Sequence, residues 1–251
     1  MRVAAIYDIH GNLPALEAVV REIRQAGVDQ IVVGGDVVPG PMPRETIECL
    51  KALEIPTQFI LGNGDREVLA RMRGEETEWY RAAREQWREP VRWNAEQFYV
   101  EEEELLASWP ATLRMNIPGL GDVLFCHATP RNDTEIFTRL TAEDRLLPAF
   151  REVNAGVVVC GHTHMQFDRI VGKTRIVNAG SVGMPFGGPG AYWLILGPGV
   201  ELRRTDYDLA KAAQRVRATK YPQAEDFAAQ NILEAPSEAA MLEAFGRAEL
   251  R

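Results

Sequence analysis

Four histidines occur in the whole chain, at positions 10, 127, 162 and 164. Each follows a short apolar run and lies in a polar or glycine-containing segment. Three of them belong to the strings Asp8-Ile9-His10-Gly11-Asn12 and Gly161-His162-Thr163-His164, the second of which holds both His162 and His164. His127 stands at the end of Val123–Cys126, and two further segments, Gly35-Asp36 and Gly62-Asn63-Gly64-Asp65, bring carboxylates and an amide to equivalent places. Carboxylate and amide oxygens are hard ligands, and imidazole suits Mn, Fe, Zn, Ni or Co. Such a set can hold a pair of cations, with a carboxylate between them offsetting part of their repulsion. Two metals ~3.5–4 Å apart can clamp both oxygens of an in-line phosphoryl displacement and acidify a water. A single His after a strand is usually just a satisfied polar residue, and a single Gly-Asp pair a turn. Five such segments that use every histidine outweigh that reading.

The elements that must position these residues are legible from periodicity. Val3–Tyr7, Ile31–Val33 and Thr57–Leu61 read as strands. Between them Leu13, Leu16, Val19, Val20 and Ile23 recur at helical spacing up to Gly27, and Arg44–Leu53 reads as a second helix. Strands alternating with helices imply parallel pairing, and ligands gather at the carboxyl ends of such strands. From about 66 to 108 the pattern is helical and strongly charged. Strands resume at Leu113–Ile117, Asp122–Cys126, Val157–Cys160, Phe167–Val171, Thr174–Val177, Tyr192–Leu196 and Val200–Arg204, with a helix at Ala142–Val153. Their close spacing implies antiparallel pairing in a second or mixed sheet. The tail, about 206 to 251, reads as two or three amphipathic helices parted near Pro222 and Pro236.

The bulk numbers narrow the chemistry. A net charge of -8 over 251 residues argues against a protein that tracks long nucleic acid. It leaves a small nucleotide-like substrate open, because bound divalent ions reverse the local potential. Three well-separated cysteines, Cys49, Cys126 and Cys160, form neither a zinc finger nor a disulfide framework, which suits a reducing cytoplasm. The charged motif at Asp8 leaves no room for a signal peptide, and no run is long and apolar enough to span a membrane.

In combination, the five segments resemble those of the calcineurin-like metallophosphoesterases. The run Asn178-Ala179-Gly180-Ser181-Val182-Gly183 looks like the small bacterial and archaeal phosphodiesterase branch, and the likeness extends from about Val3 to Arg204. The resemblance implies one domain over 1–251, α/β in class, built as a four-layer αββα sandwich with a helical insert at about 66–108 and a helical tail. It implies one metal on Asp8, His10 and His164 and a second on Asn63, His127 and His162, with Asp36 between them. Manganese is the first choice, with Ni, Co, Fe or Zn as alternatives. Asp36, Asn63 and His127 would form the catalytic set, and a hydroxide between the metals would attack phosphorus. Protein phosphatases of the family carry a His in the third motif where this chain has Gly64, so Asp65 loses the partner it would orient. Leaving-group assistance is typically worth ~10²–10⁴-fold. Its loss favours phosphodiesters or activated monoesters, and an opening at Gly64 would admit a water or a bulky ester group. The competing readings are a non-catalytic interaction scaffold, which the full ligand set disfavours, and a phosphoprotein or dinucleotide polyphosphate hydrolase, which Gly64 disfavours.

Other residues carry weaker signals. Asn12 would either touch substrate phosphate or cap the helix after it. Arg66 and Arg131 would bind phosphate or remain solvated. Cys126 and Cys160 fall in apolar strands and read as packing. Trp79, Ala83 and Trp87 would share one helical face, as in a core or a homo-oligomer contact. Glu101–Glu104 reads as a solvated face, and Gly187–Gly190 as a hairpin connection that could border the site.

Overall fold

The computed structural model describes residues 1–250 and contains two five-stranded sheets packed face to face. The chain begins β1 (Val3–Ile6), α1 (Leu13–Ala26), β2 (Gln30–Val33), α2 (Pro43–Lys51) and β3 (Thr57–Phe59). Four helices follow: α3 (Asn63–Met72), α4 (Glu78–Ala82), α5 (Glu85–Glu96) and α6 (Val100–Ala107). Next come β4 (Thr112–Ile117), β5 (Gly121–Cys126), α7 (Glu143–Phe150), β6 (Val157–Cys160), β7 (Phe167–Val171), β8 (Thr174–Asn178), β9 (Ala191–Leu196) and β10 (Val200–Thr205). The tail holds α8 (Leu209–Arg217), α9 (Ala224–Phe227), a π-helical stretch (Ala228–Leu233) and α10 (Glu238–Gly246).

The first sheet has the order β10-β9-β1-β2-β3, the second β4-β5-β6-β8-β7. Each has a parallel trio, β1-β2-β3 ending at one edge of the first sheet and β5-β6-β8 at the centre of the second, with antiparallel strands completing each sheet. The mixed pairing expected from strand spacing is therefore present in both sheets. Alternate residues explain why the sheets stack. Val3, Ala5 and Tyr7 of the first sheet meet Val123, Phe125, Val157, Val159 and Val177 of the second in one buried cluster. On the outer face of the first sheet, Ala4, Ile6, Ile31 and Val33 pack on Leu16, Val19 and Ile23 of α1 and on Val68 and Leu69 of α3. On the far side, Leu124, Val158 and Ile176 pack on Leu146, Ala149 and Phe150 of α7. The result is the αββα sandwich. Burying each large aliphatic side chain here stabilises the fold by about 1.5–3 kcal/mol.

Local signals set the ends of α1. Asn12 Oδ1 accepts a hydrogen bond from the Ala15 N–H at 3.3 Å, and Gly27 closes the helix in the left-handed region at φ 61°. One expectation fails. Trp79 and Trp87 do not share a helix, because Ala83 and Arg84 are extended (ψ 148° and 155°) and break the segment into α4 and α5. Both indoles are exposed, so neither is core. The helices after α3 instead support a loop of the sheet. Buried Asn94 of α5 accepts a hydrogen bond from Gly40 N–H at 3.2 Å, and its amide donates to the Pro90 carbonyl at 2.8 Å.

Candidate metal centre

Parallel pairing aligns the carboxyl ends of β1, β2 and β3 in one sheet and of β5 and β6 in the other. The loops leaving those ends carry Asp8 and His10, Asp36, Asn63, His127, and His162 with His164. The face-to-face packing brings the two sets together. Donor atoms of Asp8, His10 and His164 lie within 4.8 Å of one another, and so do those of Asp8, Asp36 and His127. The backbone bends sharply to achieve this. Among the described residues, the non-glycine positions with positive φ are Asp8, His10, Asp36, His162, His164 and Leu250. Five of these six are candidate ligands, and such strain persists where surrounding structure over-determines it.

Close approaches fix the bends. A Cβ on Gly62 would lie 2.3 Å from Asp36 Oδ1, and one on Gly161 would lie 2.4 Å from Asp8 Oδ2. Only glycine lets these loops come together. Backbone groups then hold the carboxylates. His162 N–H donates to Asp8 Oδ2 at 2.8 Å, and Gly64 N–H donates to Asp36 Oδ1 at 2.7 Å. Asp65 accepts from Val37 N–H at 2.8 Å and Val38 N–H at 3.0 Å through Oδ1, and from Gly62 N–H at 3.2 Å through Oδ2. It therefore clamps the Asp36 loop. The opening expected beside Gly64 does not exist. The Pro39 ring fills it, since a Cβ at Gly64 would stand 2.7 Å from Pro39 Cγ.

Three imidazoles are oriented by carbonyls. Nδ1 of His10 faces Pro39 O at 3.1 Å, Nδ1 of His127 faces Gly34 O at 2.9 Å, and Nδ1 of His164 faces Met184 O at 2.7 Å. A carbonyl can only accept, so each Nδ1 carries a hydrogen and each Nε2 is the nitrogen turned into the cluster, free to ligate once the ring is neutral. His10 Nε2 and His164 Nε2 then face each other at 3.2 Å. Asp8 Oδ1, fully buried 3.3 Å from His164 Nε2, has no hydrogen-bond partner among the described residues. The Asn63 side-chain oxygen lies 3.0 Å from His127 Nε2, 3.0 Å from His162 Nδ1 and 3.2 Å from the Asp133 carbonyl; if protons alone satisfied the cluster, the reversed amide would suit it better. Converging imidazole nitrogens and an orphaned carboxylate oxygen are what a site for cations requires, and the donor set fits divalent transition metals. The Asp8 and Asp36 oxygens lie 3.9 and 3.8 Å from His10 Nε2, and 3.8 and 3.6 Å from His127 Nε2. Either carboxylate therefore reaches toward both His10 and His127.

The electrostatics follow from burial and crowding. Burial disfavours an ionised Asp36, but the adjacent His127 overcomes it and holds the carboxyl well below its usual range. Burial likewise opposes charge on His127, yet Asp36 and Asp8 push it up to about 10. Burial and the His127 charge bring His162 down to about 4. Burial and the Asp36 charge raise Asp65 to about 7.

The three weaker candidates lie elsewhere or are committed. Asn12 is buried and spends its side chain on the α1 cap and on Gly183 O, to which its amide donates at 2.9 Å. Arg66 makes a two-pronged pair with Asp133 at 2.8 and 3.0 Å and reaches Glu67 at 2.9 Å. Arg131 pairs with Glu135 at 2.6 Å. Cys126 and Cys160 are buried, and burial raises both thiols above their usual range. Residues not singled out from sequence also shape the centre. Asn178 donates to Gly161 O at 2.6 Å, Ser181 Oγ donates to Asp8 O at 2.7 Å, and the Phe186 ring stacks on His164 at 4.9 Å. The Asn178–Gly183 run was the signal for Asn178 and Ser181, and no motif marked Phe186.

Known proteins share this architecture. A family model described as the calcineurin-like phosphoesterase superfamily domain matches residues 1–197. An uncharacterised protein of Methanocaldococcus jannaschii is 30% identical over 244 residues, covering 88% of this chain and 94% of its own. The crystal structure of a metallophosphoesterase from Sphaerobacter thermophilus is 28% identical with a TM-score of 0.69, covering 93% of this chain and 98% of that one. A hypothetical protein from Pyrococcus horikoshii has the same fold, with a TM-score of 0.78 at 21% identity, over 94% of this chain and 99% of that one. With the matched region spanning both sheets and every loop that carries a candidate ligand, the chain belongs to the calcineurin-like phosphoesterase superfamily.

Proposed function

We propose that this protein is a dinuclear metal-dependent hydrolase of small phosphoesters, chiefly phosphodiesters or activated monoesters, including nucleotide-like ones. The observation that carries the proposal is the convergence of imidazole Nε2 atoms on the orphaned Asp8 Oδ1. Asp8, His10 and His164 would hold one ion, and Asn63, His127 and His162 the other, with Asp36 between them. Two bound cations, manganese first among Mn, Ni, Co, Fe and Zn, supply Lewis acidity and an acidified water.

The chain's own groups explain the substrate preference. Asp65 spends both carboxylate oxygens on backbone N–H groups, and position 64 has no side chain. With Asp65 fully buried and turned to those N–H groups, neither position reaches toward a departing oxygen, so a good leaving group is favoured. Arg66 and Arg131 are neutralised by Asp133 and Glu135 and add little positive charge for a phosphate. A phosphoprotein or dinucleotide polyphosphate substrate is accordingly the weaker reading. The free thiols of Cys49, Cys126 and Cys160 fit a cytoplasmic setting. We treat residues 1–251 as one domain whose helical insert supports the Asp36–Gly40 loop through Asn94.

The test is to strip metal, add back Mn, Ni, Co, Mg or Zn, and measure hydrolysis of a chromogenic phosphodiester and monoester. Metal-restored turnover, with the diester preferred, is expected. Bound metal with no hydrolysis under any ion would leave an interaction scaffold as the better reading.

A further inference from the structure

The centre is not equally open on all sides. Asn63 and His162 are half-buried, whereas His164 is 8% exposed. What covers His164 is an aromatic stack that ends in the tail. The Phe186 ring lies on the His164 imidazole at 4.9 Å with an interplanar angle of 27°, and Phe186 N–H donates to the His164 carbonyl at 3.2 Å. Behind it, Phe245 of α10 meets Phe186 at 6.0 Å. Phe186 is therefore held between a candidate ligand and a helix more than fifty residues later in the chain.

Helix α10 is seated for this contact rather than buried for its own sake. Its sequence, EAAMLEAFG, is mostly apolar, yet no side chain in it is fully buried. It is tied down at both ends. Before it Gly187 N–H donates to Pro236 O at 2.8 Å, and at its first residue Arg139 pairs with Glu238 at 2.8 Å. After it, Glu249 accepts from Thr141 Oγ1 and from Arg145, each at 2.6 Å, and Leu250 N–H donates to Ile136 O at 2.8 Å.

We propose that Phe186 and Phe245 form an aromatic wall on the His164 side of the site, and that this wall limits the size of the ester group a substrate can carry there. Phe186 is the specificity-determining residue, and Phe245 is a positioning residue that acts through it. The wall gives α10 a role in substrate choice: a small ester group passes, and a bulky one is turned toward the Asn63 and His162 side or refused. The inference rests on the phosphoesterase reading above, but its first readout does not.

That readout is chemical. In chelator-treated full-length protein, diethyl pyrocarbonate acylates accessible imidazoles, and mass spectrometry follows His164 against His10 as the internal reference. Phe245→Ala is expected to speed His164 modification several-fold relative to His10, while Phe245→Leu, which keeps bulk, restores most of the shielding. The second readout compares two diesters with the same p-nitrophenyl leaving group, one retaining methyl and one retaining thymidine. Phe245→Ala is expected to raise the thymidine-to-methyl ratio of kcat/KM roughly tenfold, the scale at which pocket shape discriminates. If Phe245→Ala does not fold, Arg139→Ala removes only the half-exposed tether and carries the same expectations in direction. An unchanged His164 rate overturns the wall, and so does an unchanged ratio in active protein. Absence of turnover in wild type and variant alike would instead count against the phosphoesterase reading, leaving the acylation rate to decide the wall.

Discussion

The backbone N–H of Gly64 donates to Asp36 Oδ1 at 2.7 Å, one of the bonds that join the second and third candidate-ligand loops. It also explains why a missing histidine leaves no gap. Gly64 lies in the first turn of α3 with Pro39 against its α-carbon, so an added Cβ would meet Pro39 Cγ at 2.7 Å and Asp36 Oδ1 at 3.0 Å. Gly64→Ala is expected to displace Asp36 and lower both metal content and turnover. Overpacking of this kind costs about 1–3 kcal/mol, partly offset by the better helix propensity of alanine. Gly64→His should not rescue monoester hydrolysis, for the same steric reason. Elemental analysis and thermal melting of purified variants check this, and a Gly64→His protein that gained monoesterase activity with full metal content would refute it.

A second prediction concerns Asp65. Its carboxylate is the shared acceptor for the Val37, Val38 and Gly62 N–H groups. Asp65→Ala leaves three buried donors without it, and each unsatisfied group costs about 1–3 kcal/mol. Solvent and loop relaxation will recover part of that, so a loss of several kcal/mol is expected by chemical denaturation. The variant should also bind metal more weakly, because the loop it clamps carries Asp36. Asp65→Asn retains one acceptor oxygen and should fall between the two.

Both cases show how much could be read from the chain. The candidate ligands were legible because carboxylates, an amide and all four histidines follow apolar runs. The two-sheet fold was legible because strand-length runs recur with the right spacing. Pro39, Met184 and Asn94 were not legible. Pro39 and Met184 act through backbone carbonyls, which every residue has, and Asn94 lies 54 residues from the Gly40 it supports. The Trp79–Trp87 face misled for a related reason. Its periodicity was sound, but the extended backbone at Ala83 and Arg84 broke the helix between them. Likewise, nothing near Arg66 in the chain announces its pairing with Asp133, which is remote in sequence.

A third prediction is a proton count. In the cluster without cations, His127 is pushed up to about 10 and His162 is brought down to about 4. At pH 7.5 His127 therefore carries a proton that a metal must displace, whereas His162 is already neutral. Metal binding should release about one proton per centre, and affinity should rise with pH until His127 deprotonates by itself. The folding sign is opposite in metal-free protein. A raised histidine binds its proton more tightly when folded, so this stability is fully present below about 6.5 and is lost as pH rises toward 10. Calorimetry in two buffers of different ionisation enthalpy measures the release, and a buffer-independent binding heat at pH 7.5 would contradict it.

The last prediction separates the two carboxylates. Asp8 and Asp36 stand at nearly the same distance from His10 and His127, but their second oxygens differ in surroundings. Asp8 Oδ1 is closest to His164 and has no hydrogen-bond partner among the described residues. Its other oxygen is fixed by His162 N–H. Asp36 Oδ2 faces the cluster while Oδ1 is held by Gly64 N–H. Replacing either Asp by Asn removes one negative charge but keeps the shape, so the comparison isolates charge between the ions. If Asp36 lies between both metals, Asp36→Asn should weaken both, giving protein with well under two ions and turnover reduced by orders of magnitude. Asp8→Asn should instead lose mainly the ion shared with His10 and His164 and keep the one on the Asn63 side. Metal stoichiometry by elemental analysis, read beside kcat/KM, distinguishes these outcomes. An Asp36→Asn protein that kept two ions and full activity would reverse the assignment, and a matched loss of both ions in Asp8→Asn would make Asp8 a second shared carboxylate.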